Sequence, residues 1–223
     1  MPAVMLNGIY THFAAADDSA FVAETEQQFV RFLEVLRLVQ KNHFSPEPHA
    51  AATAAVLAYP ETGLSLVRLG IGLYGYAPAG APQFAREWAH RLTPVLSWKT
   101  VVVDIKAVQK SERIGYGFSE MLARDSRVAL LPVGYWHGYR RALSHEAHVL
   151  IRGQRAKVLG RVSMDMISVD VTDIPCVQMG DVATLIGNGG HRAVGADELA
   201  QLCDTIPHEI LTCINPRIRR VFT

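Results

Sequence analysis

The spacing of apolar positions changes character near residue 92: before it helical and strand periods alternate, and after it short strand periods dominate. Val4 to Phe13 (VMLNGIYTHF) is an apolar run ending in polar residues, which predicts a short strand. Asp17, Asp18 and Ser19 then offer N-cap oxygens. Phe29, Phe32, Leu33, Leu36 and Val39 follow at helical spacing as far as Lys41, so a helix with one buried face is expected there. A second helix is expected over His49 to Ala58 (HAAATAAVLA), and a short strand over Ser65 to Leu69 that runs into Gly70, Gly72 and Gly75. Strand, helix, strand and glycine turn is the order of an α/β fold.

Tyr76 to Pro94 is rich in proline and reads as a connecting segment with one helical turn at Phe84 to Leu92. The domain boundary is placed within it, giving an N-terminal region 1–92 and a C-terminal region 93–223. Beyond it, β-branched runs at Trp98 to Val108, Arg127 to Val133, His148 to Ile151, Lys157 to Leu159, Met166 to Val171 and Asp181 to Ile186 are separated by glycine turns. Strands at this spacing without long helices predict an antiparallel barrel or sandwich. A helix at Ala196 to Cys203 and a last strand near Arg217 to Phe222 complete the pattern.

Composition adds mainly exclusions. With 22 basic and 21 acidic side chains among 223 residues, the chain has no electrostatic footprint for nucleic acid or an anionic membrane surface. At 49% hydrophobic residues, disorder is excluded too. Cys176, Cys203 and Cys213, an odd number at long irregular spacing, suggest neither a disulfide framework nor a CxxC metal site and fit a reducing compartment. The first residues carry no basic n-region and no apolar stretch is long enough to span a bilayer, so a soluble cytoplasmic protein is expected.

Three segments carry candidate chemistry. Arg68 to Gly75 (RLGIGLYG) ends a predicted α/β strand with glycines that free backbone N–H groups to approach an anion, although such glycines more often serve a tight turn and such an arginine a surface salt bridge. Pro132 to Arg141 (PVGYWHGYRR) ends a strand in aromatic, imidazole and guanidinium groups. A tyrosine beside arginines can act as a base, since a neighbouring cation favours its phenolate, yet an aromatic at a strand end is more often packing material. Gly160 to Met166 (GRVSMDM) either presents a backbone N–H to a carboxylate or is an ordinary bulge. His145 and His148 lack a convincing set of metal partners, and His12 at the end of the opening strand reads as structural. No metal is expected.

In this order the motifs GIYTHFAAADD (Gly8 to Asp18), RLGIGLYG, PVGYWHGYRR and GRVSMDMISVD (Gly160 to Asp170) resemble the alanine racemase family of pyridoxal-phosphate enzymes. The resemblance also takes in SWKTVVVDIKAVQKSERIGYG and the terminal NPRIRRVF. It implies α/β plus all-β architecture: the closing part of a (β/α)8 barrel that binds pyridoxal 5'-phosphate, followed by a C-terminal antiparallel β domain. An ordinary barrel needs about 250 residues, so the region before residue 93 is expected to hold only its closing strands, and the sequence is expected to be the C-terminal part of a racemase. The family's Schiff-base lysine lies in a motif resembling VKANAYGHG, and Lys41, Lys99, Lys106, Lys110 and Lys157 match no such motif.

By the same resemblance Arg68 faces the pyridine nitrogen of the cofactor, Gly70 and Ile71 hold its phosphate through backbone N–H groups, Thr53 stands where the family has a serine bonded to that phosphate, and His12 lies beside the ring. Tyr135 is implied as the second catalytic base, serving the site of the other subunit in a homodimer, with a lysine as the first. Met164 is implied to offer its backbone N–H to the substrate carboxylate. Trp136 and His137 replace the alanine and aspartate usual after this tyrosine. The implied activity is interconversion of L- and D-alanine for peptidoglycan precursors. A serine or broad-specificity racemase, or a non-catalytic fragment or subunit, stands as the alternative.

Overall fold

The structure, a computed structural model, describes residues 5–78 and 90–222. The chain divides into two units, Met1–Val95 and Leu96–Thr223. In the first, β1 (Gly8–Tyr10) leads through a 3-10 turn at Ser19–Phe21 into helix α1 (Val22–Lys41), and the chain returns as β2 (Glu47–His49) parallel to β1, with Tyr10 opposite His49. Asp18 opens the turn, its Oδ1 accepting the N–H of Ala20 at 2.9 Å, and Asn42 closes the helix by donating from Nδ2 to the Leu38 carbonyl at 2.8 Å. The buried face of α1 carries Thr25, Phe32 and Leu36. It packs with Phe13, Ala50, Ala51 and helix α2 (Thr53–Ala58), and Phe13 meets Phe29 edge-on. Alanines at 50, 51, 55 and 58 let the elements approach closely.

Three expectations change here. The opening strand is shorter than Val4 to Phe13, because only Gly8–Tyr10 pairs with β2. The helix expected from His49 starts at Thr53: the carbonyls of His49 and Ala51 accept from Thr11 and Arg68, so this stretch is engaged on both sides as extended chain. The strand expected at Ser65 to Leu69 is a single parallel bridge between Ala52 and Arg68, since the turn at Pro60–Gly63 and the positive φ of Leu64 precede it and another turn, Ile71–Tyr74, follows. The helical turn expected at Phe84 to Leu92 lies, up to residue 89, outside the described residues.

The second unit holds β3 (Trp98–Val101), β4 (Asp104–Val108), β5 (Arg113–Ile114), β6 (Glu120–Met121), β7 (Ser126–Leu131), β8 (His148–Ile151), β9 (Gln154–Leu159), β10 (Ile167–Asp170), β11 (Val182–Asn188) and β12 (Ala193–Val194), then helices α3 (Ala196–Leu202) and α4 (Pro207–Thr212). The main sheet is antiparallel, in the order β12-β11-β8-β9-β10-β7-β4, with β3 also on β11; β5 and β6 form a separate hairpin. β3 and β4 are one extended run that bends where its partner changes: Val102 donates to the Asp181 carbonyl and Val103 to that of Leu130. That bend joins the two ends of the sheet into a closed antiparallel array. Leu131, Val149, Ile151, Val158, Val169 and Leu185 are fully buried, each stabilising by roughly 1.5–3 kcal/mol.

Helix α4 was not expected, and no strand forms over Arg217 to Phe222: the N–H groups of Arg217 and Ile218 are taken locally by Asn215, and Val221 and Phe222 are exposed. Among the described residues no helix is long and apolar enough to cross a membrane.

One strand residue makes stability pH-dependent. Burial of His148, with the Arg155 guanidinium alongside, pushes its imidazole below the ordinary value. Unfolding frees the ring to protonate, so its contribution is complete above the ordinary value of about 6.5 and is lost as pH falls through that value toward the lower folded one. Urea unfolding near pH ~7.5 and ~5.5 is expected to show a loss of stability on acidification that is smaller in His148→Gln. An identical loss in both proteins would contradict this assignment.

Candidate active site

In the first unit the chemistry gathers on Arg68. Its Nη2 donates to the carbonyls of Thr11 and Ala50, each at 2.8 Å, and lies 3.1 Å from His12 Nδ1. Its Nη1 lies 2.7 Å from His49 Nδ1. The guanidinium therefore ties the ends of β1 and β2 together, and it stands over the ring of Tyr10, which stacks on His49. An arginine has donors only, so Nδ1 of both histidines is the acceptor nitrogen, with the ring proton left to Nε2. Among the described residues no carboxylate pairs with Arg68, which corrects the surface salt-bridge reading.

Beside it, the N–H groups of Gly70 and Gly72 converge on the hydroxyl oxygen of buried Thr53, at 3.1 and 3.2 Å. A Cβ on Gly72 would come within 2.9 Å of Thr53 Cγ2, whereas one on Gly70 would meet nothing within 4 Å. Ile71 is buried at the head of the following turn. Two backbone donors aimed at one oxygen, with an open side at Gly70, are a donor set that suits an anionic oxygen such as a phosphate's. The groups expected at 12, 53, 68, 70 and 71 are thus neighbours. His49 joins them, and the sequence reading passed over it.

In the second unit Tyr135 starts a 3-10 turn, Tyr135–His137, that follows β7. The N–H of Tyr135 donates to the Ser163 carbonyl at 3.0 Å and that of Trp136 to the Met164 carbonyl at 3.1 Å. The Met164 segment is itself a tight turn, Ser163 bonding Met166 through both hydroxyl and backbone. Gly134 permits the approach: a Cβ there would lie 2.2 Å from the Ser163 oxygen. Gly138 permits the exit, with φ of +101° and Cys213 and Ile214 against it. Tyr135 is 44% exposed and Met164 50%, so both face outward while their backbones are joined.

Of the arginines beside this turn, Arg140 is engaged by a carboxylate. Arg140 pairs with Glu209, whose carboxyl is held below the usual carboxylate range first by the Thr205 hydroxyl and then by Arg140. Tyr139 is fully buried edge-on to Trp98, and burial raises its phenol far above the ordinary value, so it stays protonated. Of the two tyrosines in this segment, Tyr135 alone is exposed. His137, noted in the sequence only as a departure from the family's aspartate, and Asn215, not singled out there, also hold the turn.

Comparison with known proteins gives the arrangement its context. The family described as alanine racemase, C-terminal domain, matches residues 95–222, and that described as alanine racemase, N-terminal domain, matches residues 1–78. An alanine racemase of Halothermothrix orenii is 39% identical over 98% of this chain and 57% of its own length. The crystal structure of alanine racemase from a D-cycloserine-producing Streptomyces lavendulae superposes with a TM-score of 0.88 at 30% identity, covering 99% of this chain and 57% of that one. Alanine racemase from Bartonella henselae, solved with covalently bound pyridoxal phosphate, aligns with a TM-score of 0.79 at 28% identity over 97% of this chain and 56% of that one. The chain thus spans little more than half the length of the relatives it matches. Matched along both of its units, it belongs to the alanine racemase family.

Proposed function

We propose that this chain supplies the cofactor cradle and the second proton-transfer group of a pyridoxal-phosphate-dependent alanine racemase. Its first unit would be the closing part of the (β/α)8 barrel and its second the family's β domain. The reading rests above all on the half-exposed Tyr135 phenol, carried on a turn whose backbone is bonded to the Ser163–Met164 segment.

Pyridoxal phosphate, when bound, supplies the electron sink that makes the α-hydrogen of an amino acid removable. Thr53, Gly70 and Ile71 would hold its phosphate. Arg68, fixed by two strand ends and two imidazoles, would face the ring nitrogen and, as a permanent cation, keep that nitrogen unprotonated. His12 would stand beside the ring. Inverting a stereocentre needs one group on each face of the α-carbon; Tyr135 would hold or deliver the proton on one face and a lysine would serve the other. The Met164 N–H would orient the substrate carboxylate. Tyr135 would act in the site of a second subunit, in a cytoplasmic homodimer making D-alanine for peptidoglycan. Trp136, exposed on the same turn, keeps serine open as an alternative substrate.

The test is complementation. The chain, co-expressed with a segment bearing a lysine motif of the VKANAYGHG type and supplied with pyridoxal phosphate, is expected to interconvert L- and D-alanine, followed as loss of optical rotation. A well-folded assembly that binds the cofactor but leaves both enantiomers unchanged would overturn the proposal.

A further inference from the structure

The turn that carries Tyr135 is only three residues long, and its own bonds do not account for its hold. His137 donates back to the Gly134 carbonyl at 2.9 Å and Gly138 to that of Tyr135 at 3.1 Å. Besides these bonds and those from Tyr135 and Trp136 to the Ser163 and Met164 carbonyls, two further residues, His137 and Asn215, restrain it. At the entrance, the Gly134 N–H is accepted by His137 Nδ1 at 3.2 Å, so the imidazole folds back to cap the turn it belongs to. Its ring stands edge-on to Trp136, with centroids 5.0 Å apart. At the exit, Asn215 meets both carbonyls that the turn leaves over: its backbone N–H donates to the His137 oxygen at 3.1 Å and its Nδ2 to the Trp136 oxygen at 2.9 Å. The orientation of that amide is settled by Oδ1, which accepts the Arg217 N–H at 2.9 Å and so leaves the NH2 facing Trp136.

We infer that His137 and Asn215 are positioning residues for the Tyr135 phenol, the first capping the turn at its entrance through Nδ1 and the second clamping its carbonyls at the exit. The inference rests on the reading of Tyr135 as a proton-transfer group. Neither residue touches a reacting atom; they act by fixing the backbone from which the phenol is aimed. Misplacing a reacting group by about 1 Å can cost about a hundredfold in rate, so such a hold matters beyond its modest share of stability. The cap needs a lone pair at position 137, which an asparagine oxygen also offers and a phenylalanine ring does not. The clamp needs a donor at position 215, which aspartate, of the same shape, lacks.

Amide hydrogen exchange and Tyr135 ring resonances in the isotope-labelled chain test this directly, with the buried Val169 amide as a check that the β domain is intact. His137→Phe is expected to speed exchange at Gly134 about fivefold, the effect of one neutral hydrogen bond, and to shift the Tyr135 ring signals. His137→Asn is expected to restore both. Asn215→Asp is expected to move the Tyr135 ring while leaving Val169 unchanged. In the complemented enzyme, His137→Phe is expected to lower kcat with KM for alanine unaltered, and His137→Asn to recover it. Unchanged exchange at Gly134 in His137→Phe, or an asparagine variant as perturbed as the phenylalanine one, would overturn the inference. The reading of Tyr135 is judged separately, by whether Tyr135→Phe strongly depresses racemisation, so the failure of the inference and the failure of that reading are distinguishable.

Discussion

Tyr135→Phe is expected to depress racemisation in the complemented enzyme by about 10²–10⁴-fold, the range a positioned general acid or base contributes. The substitution removes one hydroxyl from a half-exposed ring and leaves the backbone bonds from Tyr135 and Trp136 to Ser163 and Met164 in place, so fold and cofactor binding should survive. The loss should be one-sided. A phenol serving one face of the α-carbon is needed to remove the proton from one enantiomer only, and the group on the other face continues to exchange the proton of its own. Solvent exchange of the α-proton, measured for each enantiomer in deuterated water, should therefore fall strongly for one and remain measurable for the other. Equal losses for both, with cofactor absorbance unchanged, would remove Tyr135 from the two-base role.

How far the sequence could be read depended on whether a pattern was satisfied locally. Helix α1 was legible because Phe32 and Leu36 repeat on one face and Asp18 caps the turn that leads into it. Strands β7 and β8 were legible as apolar runs between turns. Alanine-rich His49–Ala52 misled, because helix propensity yields where neighbouring chain engages the backbone from both sides. The final Arg217–Phe222 run misled in the other direction: its strand-like composition begins in a local turn, where Asn215 takes the N–H groups of Arg217 and Ile218.

The site divides in the same way. Arg68, Tyr135 and Met164 stand in recognisable motifs, each weak alone, and their order along the chain carried the resemblance. His49 and Asn215 did not stand out because what gives them meaning is distant in sequence: Arg68 lies 19 residues from His49 and Trp136 lies 79 from Asn215. His137 did draw notice, but as a departure from the family's aspartate. Its role as an acceptor became visible only with the Gly134 N–H in place.

Gly134→Ala is expected to be strongly destabilising. Gly134 has φ of −163°, an extended backbone that alanine adopts freely, so conformational preference contributes nothing to the effect. Contact does: the added Cβ would lie 2.2 Å from the Ser163 oxygen and 2.5 Å from the Met164 oxygen, both backbone atoms with no side-chain rotation to yield. Relief requires the turn to lift away, which breaks the bonds from Tyr135 to Ser163 and from Trp136 to Met164. Two hydrogen bonds at about 1 kcal/mol each and overpacking of about 1–3 kcal/mol put the loss near 3–5 kcal/mol, and the melting temperature lower by roughly 10 °C. Gly180→Ala is the informative control, because Gly180 has φ of +90° and a Cβ there meets nothing within 4 Å, so it isolates the conformational cost. The Gly134 variant should melt well below the Gly180 variant and lose the Tyr135 ring signals of the native turn. Melting within about a degree of the unaltered protein would mean that the two turns are not locked together as the close approach of Gly134 requires.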